Sequence, residues 1–353
     1  MKSSKRLLKM IMPIIAIICT LIFIPWEIVW TWAEPLPDTV QEQVNDVRHH
    51  ELDGIIVYVN QQGKAPAFYA AGWMNKEKKV PANPYALFKI ASISKLYIAA
   101  ATAKLIANHQ LFLNDTLSNL VPELTGRIEN ADKITLRMLL QHRSGIPDWI
   151  DDKEFPWGKP PSDVSQVLNL VLDEPAKFKP DKRHDYSNTN YLLIGEILDR
   201  KLGYDHQQYI KKEILDPLEL THTFARMSEV DTSMVVSGYD SHFKGDVKRL
   251  DFVSPGGSMI ATAEDVGIFV RTLNDGSLLS GDEQKIYSSI YEYGHTGLLP
   301  GYQSIARYHK DIDAVVIQFV NTSGGNKWTV SESIYNRIIK ILRKEKAEQE
   351  LQK

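Results

Sequence analysis

The chain has 353 residues, of which 43% are hydrophobic and 24% charged, the balance of a folded globular protein and too apolar for a disordered one. A formal net charge of −3 and a pI near 6.4 leave no global basic field, so no nucleic-acid partner is expected. The single cysteine, Cys19, excludes an intrachain disulfide and any CxxC metal or redox motif.

At the N-terminus, Lys2, Lys5, Arg6 and Lys9 precede an apolar run over 10–26 that resumes at 28–33 beyond Glu27. A bilayer core needs about 20 such residues. A cleaved signal peptide and an uncleaved anchor compete for this segment. Thr31-Trp32-Ala33 fits a cleavage site, but the run exceeds the ~7–15 apolar residues of a signal core, and Trp26, Trp30 and Trp32 resemble an interfacial belt. The expectation is a single-pass anchor through residues 10–32, with the N-terminus cytoplasmic and everything after Ala33 outside; cleavage would instead make the domain secreted. Ala16-Ile17-Ile18 lacks the small residue of a lipoprotein processing site, so Cys19 reads as a buried apolar cysteine.

Residues 34–38 form a proline-bearing linker, and 41–52 reads as a helix with a charged face on which His49-His50 is a solvated pair. β-rich runs at 54–60 and 66–73 around 61–65 predict a hairpin. Ser92-Ile93-Ser94-Lys95 opens a helix over 93–109 in which Ala99, Ala100, Ala101, Ala103 and Ala107 allow close packing at the centre of a domain. Ser-x-x-Lys on a helix puts Ser92 and Lys95 on one face, where the lysine can take the serine proton. A serine that merely caps the helix is the alternative.

The 117–268 stretch is rich in helix signals and is punctuated by prolines around 155–161, which predicts a helical lobe inserted between strands of one sheet. Within it, Tyr186-Ser187-Asn188 joins the Pro180-Asp181 loop to a helix-like run, a setting that can aim a phenol into a cleft. Ser241-His242-Phe243-Lys244 repeats the first pattern, but Gly245-Asp246 stops any helix there. Tyr58-Val59-Asn60 repeats the second, on a strand where Tyr58 packs. His295-Thr296-Gly297 has no competitor, and its glycine would let a substrate backbone lie against a strand edge; an ordinary turn histidine is the other reading.

A second hairpin is predicted over 302–308 and 314–320, then a helix whose Ile334, Ile338 and Leu342 form an apolar stripe. One domain over 39–344 is the simplest account, with 345–353 as a charged, frayed tail. The absence of His-Glu-x-x-His, Gly-x-Ser-x-Gly and a phosphate-binding glycine loop disfavours zinc peptidases, α/β-hydrolases and nucleotide chemistry. The residues point to serine acyl transfer by Ser92, Lys95 and Tyr186, with no metal or organic cofactor.

With their flanks, these motifs resemble the serine β-lactamase-related family of class C β-lactamases, D-alanyl-D-alanine carboxypeptidases and related esterases. The segments that carry the likeness lie at 88–95, 134–147, 186–191, 255–262 and 295–302, and the match runs from about 40 to 340. The resemblance implies a mixed α/β (α+β) fold, an antiparallel sheet flanked by helices. It implies an oxyanion hole at the N–H groups of Ser92 and Leu298, Asn188 holding the substrate amide, and His295 and Thr296 meeting its polar or carboxylate end beside Gly297. The expected substrate is a peptidoglycan-type D-alanyl peptide or a cell-surface ester. A class C-like β-lactamase and a non-catalytic, membrane-anchored peptidoglycan-binding or sensor protein are the alternatives. His295 in place of lysine, His184-Asp185 before Tyr186, Gln141, Arg143 and a short 265–295 stretch depart from the family pattern. No residue pattern speaks to oligomeric state.

Overall fold

The computed structural model describes residues 11–13, 15, 18–20, 23, 24 and 26–352. The four leading basic residues and much of the apolar run lie outside these. Along the chain the strands are β1 (Gly54–Gln61), β2 (Ala67–Asn75), β3 (Val80–Pro81), β4 (Phe88–Lys89), β5 (Thr223–Phe224), β6 (Tyr239–Asp240), β7 (Ile260–Ala261), β8 (His295–Leu299), β9 (Tyr302–His309), β10 (Ala314–Val320) and β11 (Thr322–Ser323).

Both predicted hairpins form, and they meet. β1 pairs antiparallel with β2 and with β10, opposing Val57 to Tyr69 on one side and to Gln318 on the other. The resulting six-stranded sheet has the order β3-β2-β1-β10-β9-β8. β1 is buried on both faces: Ile55, Val57 and Val59 pack with Ile334 and Ile338 of the Lys327–Leu351 helix, while Ile56 and Tyr58 face the main core. That double covering explains why the strand reads as an unbroken apolar run rather than as an alternation.

Between the two hairpins the chain leaves the sheet. It forms the buried Ser94–Ala107 helix, the lobe containing the Asn188–Leu202 helix, and a small sheet ordered β4-β7-β5. The short stretch before β8 is two helices, Ala263–Asp275 and Gly281–Ser288, with no added strand, so β8 is left as the sheet's edge.

Several expectations need correction. The C-terminal helix runs unbroken to Leu351, with Arg343 paired to Asp311 at 2.6 Å, so residues 345–351 extend the helix rather than fray from it. His49 is exposed but His50 is buried, its Nδ1 3.2 Å from Thr31 Oγ1 and its Nε2 3.6 Å from Glu34, and burial pulls its pKa down. Cys19 is exposed rather than buried. Among the described residues no helix is long and apolar enough to cross a membrane. Ile24 is a bend, and a helix runs Trp26–Ala33.

The linker after that helix is not loose. Arg337, buried in the C-terminal helix, donates to the carbonyls of Thr31 (3.2 Å), Glu34 (2.9 Å) and Pro35 (2.7 Å) and to Gln43 Oε1 (2.5 Å). Trp32 Nε1 donates to Ser333 Oγ at 3.2 Å, and Thr39 caps the Val40–Asn45 helix through a capping box with Glu42. A guanidinium has five donors in a rigid fork, which suits it to gather carbonyls from a segment without regular structure. Arg337→Ala should therefore undock residues 31–37 and lower stability by about 2–4 kcal/mol. Urea unfolding and hydrogen exchange across 31–37 would measure this, with faster exchange expected there than in β1.

Candidate active site

The Ser94–Ala107 helix is buried on nearly every side, and Leu96, Ile98, Ala99, Ala100, Ala101 and Ala103 are fully buried. A helix covered in this way sits in the interior, which fixes its N-terminus at the centre of the molecule. Ser92 lies just before it, in a 3-10 turn over Ala91–Ile93. Ala91 takes a left-handed φ of 52°, a conformation that costs a non-glycine residue on the order of 1–2 kcal/mol. The turn is held by its surroundings: Ser94 Oγ donates to Ala91 O at 2.7 Å, and Ser304 Oγ on β9 donates to Ile90 O at 2.9 Å.

Lys95 follows one turn later and is 1% exposed. Its Nζ lies 2.9 Å from Ser92 Oγ, 2.9 Å from Asn188 Oδ1 and 2.8 Å from Gly256 O. Burial draws its pKa down to about 7, against a smaller upward pull from Asp148. As a neutral amine it has two N–H bonds for Asn188 and Gly256, which leaves the lone pair for the serine proton. Gly256 is required at that spot, since a Cβ there would come within 3.1 Å of Lys95 Nζ and 2.9 Å of Tyr191 Cβ.

Tyr186 donates from its hydroxyl to Ser92 Oγ at 3.1 Å, and burial raises its pKa above the ordinary tyrosine value. Ser187 is the N-cap of the Asn188–Leu202 helix, so the second motif is a helix entrance, as its sequence setting predicts. Asn188 has a use that its spacing did not reveal. Its Oδ1 accepts from Lys95 while its Nδ2 donates to Asp148 Oδ2 at 2.9 Å, so it bridges a base and a carboxylate, with one N–H and one lone pair left for substrate.

The third motif lies on β8, not in a turn. His295 and Thr296 line the cleft, as does Leu298, which is 56% exposed. Gly297 is a correction. A Cβ on it would sit 2.4 Å from Ile90 O and 2.3 Å from Ser304 Oγ, so the glycine lets β8 close on the turn before Ser92 rather than making room for substrate. His295 Nδ1 is 2.5 Å from the Thr296 carbonyl, which places its hydrogen there and leaves Nε2 as an acceptor. Burial, helped by Lys95, pulls its pKa down to about 4, so the ring is neutral at neutral pH.

Ser92, Tyr186, Asn188, His295, Thr296 and Leu298 share one cleft of about 520 Å³, with Lys95 beneath its floor. Trp149, Trp157 and Phe252 make an apolar wall that sequence reasoning missed; Trp157 was visible only as part of a proline-rich stretch. The segment that carries Phe252 is pinned by buried Lys89, which donates to the carbonyls of Lys248 (2.7 Å) and Leu250 (2.5 Å). Among the described residues that line the cleft there is no lysine or arginine, and Asp240 is its one carboxylate, paired with His242 at 3.0 Å. Ser241 and Lys244, which repeat the first pattern, sit in a turn without a helix.

Residues 37–289 match a family model described as Beta-lactamase; the match holds Ser92, Lys95, Tyr186 and Asn188 and ends before His295. Protein flp of Staphylococcus aureus is 28% identical over 211 residues, 58% of this chain and 42% of that protein. A Beta-lactamase of Pseudomonas fluorescens is 29% identical over 195 residues, 55% and 52% of the two chains, so the chain spans about half the length of these curated relatives. Among solved structures, D-amino acid amidase from Ochrobactrum anthropi SV3, complexed with D-phenylalanine, superposes with a TM-score of 0.77 at 20% identity, covering 87% of this chain and 98% of that one. The penicillin binding protein from Bacillus halodurans gives 0.69 at 19%, covering 83% and 98%. At such identities the likeness is one of fold.

The geometry makes Ser92 reactive only when Lys95 is neutral. Labelling of Ser92 by a fluorophosphonate should rise with pH through about 7. Asp148→Asn removes the charge that holds the Lys95 pKa up, so the midpoint should move to lower pH by roughly one unit or more. A midpoint that stays put or rises would show that Asp148 does not act on Lys95.

Proposed function

The chain belongs to the beta-lactamase family, and from that premise we propose that it is a serine hydrolase that works through an acyl-enzyme on Ser92. The observation that carries this reading is the convergence of Lys95 and Tyr186 on one serine oxygen, at 2.9 and 3.1 Å. Neutral Lys95 takes the Ser92 proton as Oγ attacks the substrate carbonyl carbon. The oxyanion that forms lies toward the N–H groups of Ser92 and Leu298, where preorganised donors supply a large share of the rate. The Lys95 proton passes through Tyr186 to the leaving nitrogen or oxygen as the carbonyl–leaving-group bond breaks. Water then attacks the ester and gives a proton to the Lys95–Tyr186 pair, which passes it to Ser92 Oγ as the acyl–oxygen bond breaks, freeing Ser92 and an acid; an amine or alcohol in place of water gives transfer. General acid–base help of this kind is worth ~10²–10⁴ in rate. A fold kept only for binding would not need a buried lysine with a lowered pKa, so the non-catalytic reading loses support.

The substrate class follows from charge. A carboxylate brought into the cleft would lose water without meeting a lysine or arginine among the described lining residues; His295 is neutral there, and His242 is already paired with the Asp240 carboxylate. This disfavours carboxypeptidase substrates, which end in a carboxylate, and β-lactams, which carry one. An amide or ester whose carboxyl side is uncharged and whose side chain is apolar fits the wall of Trp149, Trp157 and Phe252. The likeness to a structure of D-amino acid amidase holding D-phenylalanine supports a D-aminoacyl amide as the first compound to try. Peptidoglycan-type D-alanyl peptides take second place.

Residues 10–32 hold this domain at the outer face of a membrane in the same reading. Its support is the basic residues ahead of the apolar run, together with Trp26, Val29 and Trp32, which are exposed at three-residue spacing on the Trp26–Ala33 helix.

Incubation with a fluorophosphonate followed by mass spectrometry should give one adduct, on Ser92, that is lost in Ser92→Ala. A folded chain with no adduct would overturn the hydrolase reading. Turnover of D-phenylalanine amide should exceed that of the carboxylate-ended D-phenylalanyl-D-alanine by at least ~10-fold in kcat/KM, and His295→Lys should narrow that gap. Equal turnover of the two, unchanged by His295→Lys, would remove charge as the selector.

A further inference from the structure

We propose that His142 is a positioning residue for Tyr186: it grips the chain on both sides of the tyrosine and lies flat on its ring, pressing the phenol onto Ser92. The proposal rests on the reading of Ser92 and Tyr186 given above and adds a residue of the 134–147 segment to which the sequence assigned no role.

Three contacts, each from a different part of His142, converge on residues 185–187. Its backbone carbonyl accepts the N–H of Asp185 at 2.8 Å. Its Nδ1 accepts the N–H of Ser187 at 3.2 Å, and Asn190 Nδ2 lies 3.3 Å from the same nitrogen. Its ring stacks on that of Tyr186, with centroids 4.3 Å apart and planes inclined by 27°. The backbone N–H groups of the residues on either side of Tyr186, and the ring between them, are thus held by one side chain and its own carbonyl. Such a grip matters because Tyr186 ends an irregular segment: only at Asn188 does helical hydrogen bonding begin to fix the backbone.

The residue is shaped for this use at some cost. His142 is 3% exposed and adopts a left-handed φ of 54°, and that backbone turn lets carbonyl and ring reach the same strip of chain. Accepting from Ser187 requires the proton to sit on Nε2, so the imidazole must be neutral. A protonated ring would turn a donor toward the Ser187 N–H. Burial, with Lys95 nearby, keeps it neutral by drawing its pKa down to about 3. A glutamine or lysine at 142 would supply neither the flat face nor an acceptor at that distance from the backbone. His142 touches neither Ser92 nor the cleft, so its influence on the reaction passes through Tyr186.

A double-mutant cycle tests this on the whole chain, read by single-turnover acylation of Ser92 and by kcat and KM on D-phenylalanine amide. His142→Ala should slow acylation by at least ~10-fold with KM within about twofold, since displacements of about 1 Å near a reacting group can cost on the order of 100-fold. In a Tyr186→Phe background the same change should cost less than about twofold, because the hydroxyl it positions is gone. His142→Asn offers Oδ1 in place of Nδ1 and should recover more of the rate than His142→Phe, which keeps only the ring; these two carry the cycle if the alanine variant does not fold. Equal losses in the two backgrounds, or His142→Asn no better than His142→Phe, overturn the proposal while leaving the Ser92 reading intact. A wild-type chain that forms no Ser92 adduct overturns both.

Discussion

A lysine amine can take a proton from a serine only if it is itself unprotonated and cannot turn away, and both conditions are met at Lys95 by burial. Removing water from the amine disfavours its charged form, which brings an ordinary lysine pKa of 10.5 down to about 7. Three oxygens, on Ser92, Asn188 and Gly256, then fix where Nζ sits. Each comes from a different stretch of chain. The site is therefore stable only as a consequence of the whole fold.

The fold meets that demand by bringing its two hairpins together at β1 and β10, packing the Ala263–Asp275 helix on the sheet and burying the Ser94–Ala107 helix behind it, where Tyr97 stacks on Phe269. This second helix delivers Ser92 and Lys95 to the interior. The opposite end of the sheet delivers β8, an edge strand with main-chain groups still open to a ligand. β8 can reach the Ser92 turn only because Gly297 has no side chain, and the strain at Ala91 persists because Ser94 and Ser304 hold the carbonyls on either side of the Ala91 nitrogen and α-carbon. Close packing and backbone strain are here two sides of one contact.

Burial also sets the charge of the groups around the cleft. The desolvation that lowers the Lys95 pKa to about 7 also keeps His295 and His142 neutral, so near neutral pH the two imidazoles beside Tyr186 add no charge to a partly protonated Lys95. The proposed preference for a neutral carbonyl compound over an anion rests on these neutral rings and on the absence of lysine and arginine among the described residues that line the cleft. The same economy of charge is absent at the far end of the molecule, where the buried guanidinium of Arg337 is satisfied by three carbonyls and an amide oxygen and binds the N-terminal helix to the domain.

The amino-acid order alone determined what depends on short range. Both hairpins, the Ala-rich helix, the C-terminal stripe, the Ser92–Lys95 pair and the helix-entrance setting of Tyr186 follow from periodicity and turn residues within about 20 positions. The repeated patterns at Ser241 and Tyr58 could be set aside for the same reason. Contacts made across the fold left no such trace. Asp148 as a neighbour of Lys95, Gly256 as its carbonyl partner, His142 behind Tyr186, the aromatic wall and the grip of Arg337 on residues 31–35 all join segments far apart in the chain. Gly297 and His50 show the limit most clearly: the type of each residue was plain, but its use depends on which atoms lie opposite. Periodicity encodes which face of an element is apolar; only the packed structure decides what that face meets.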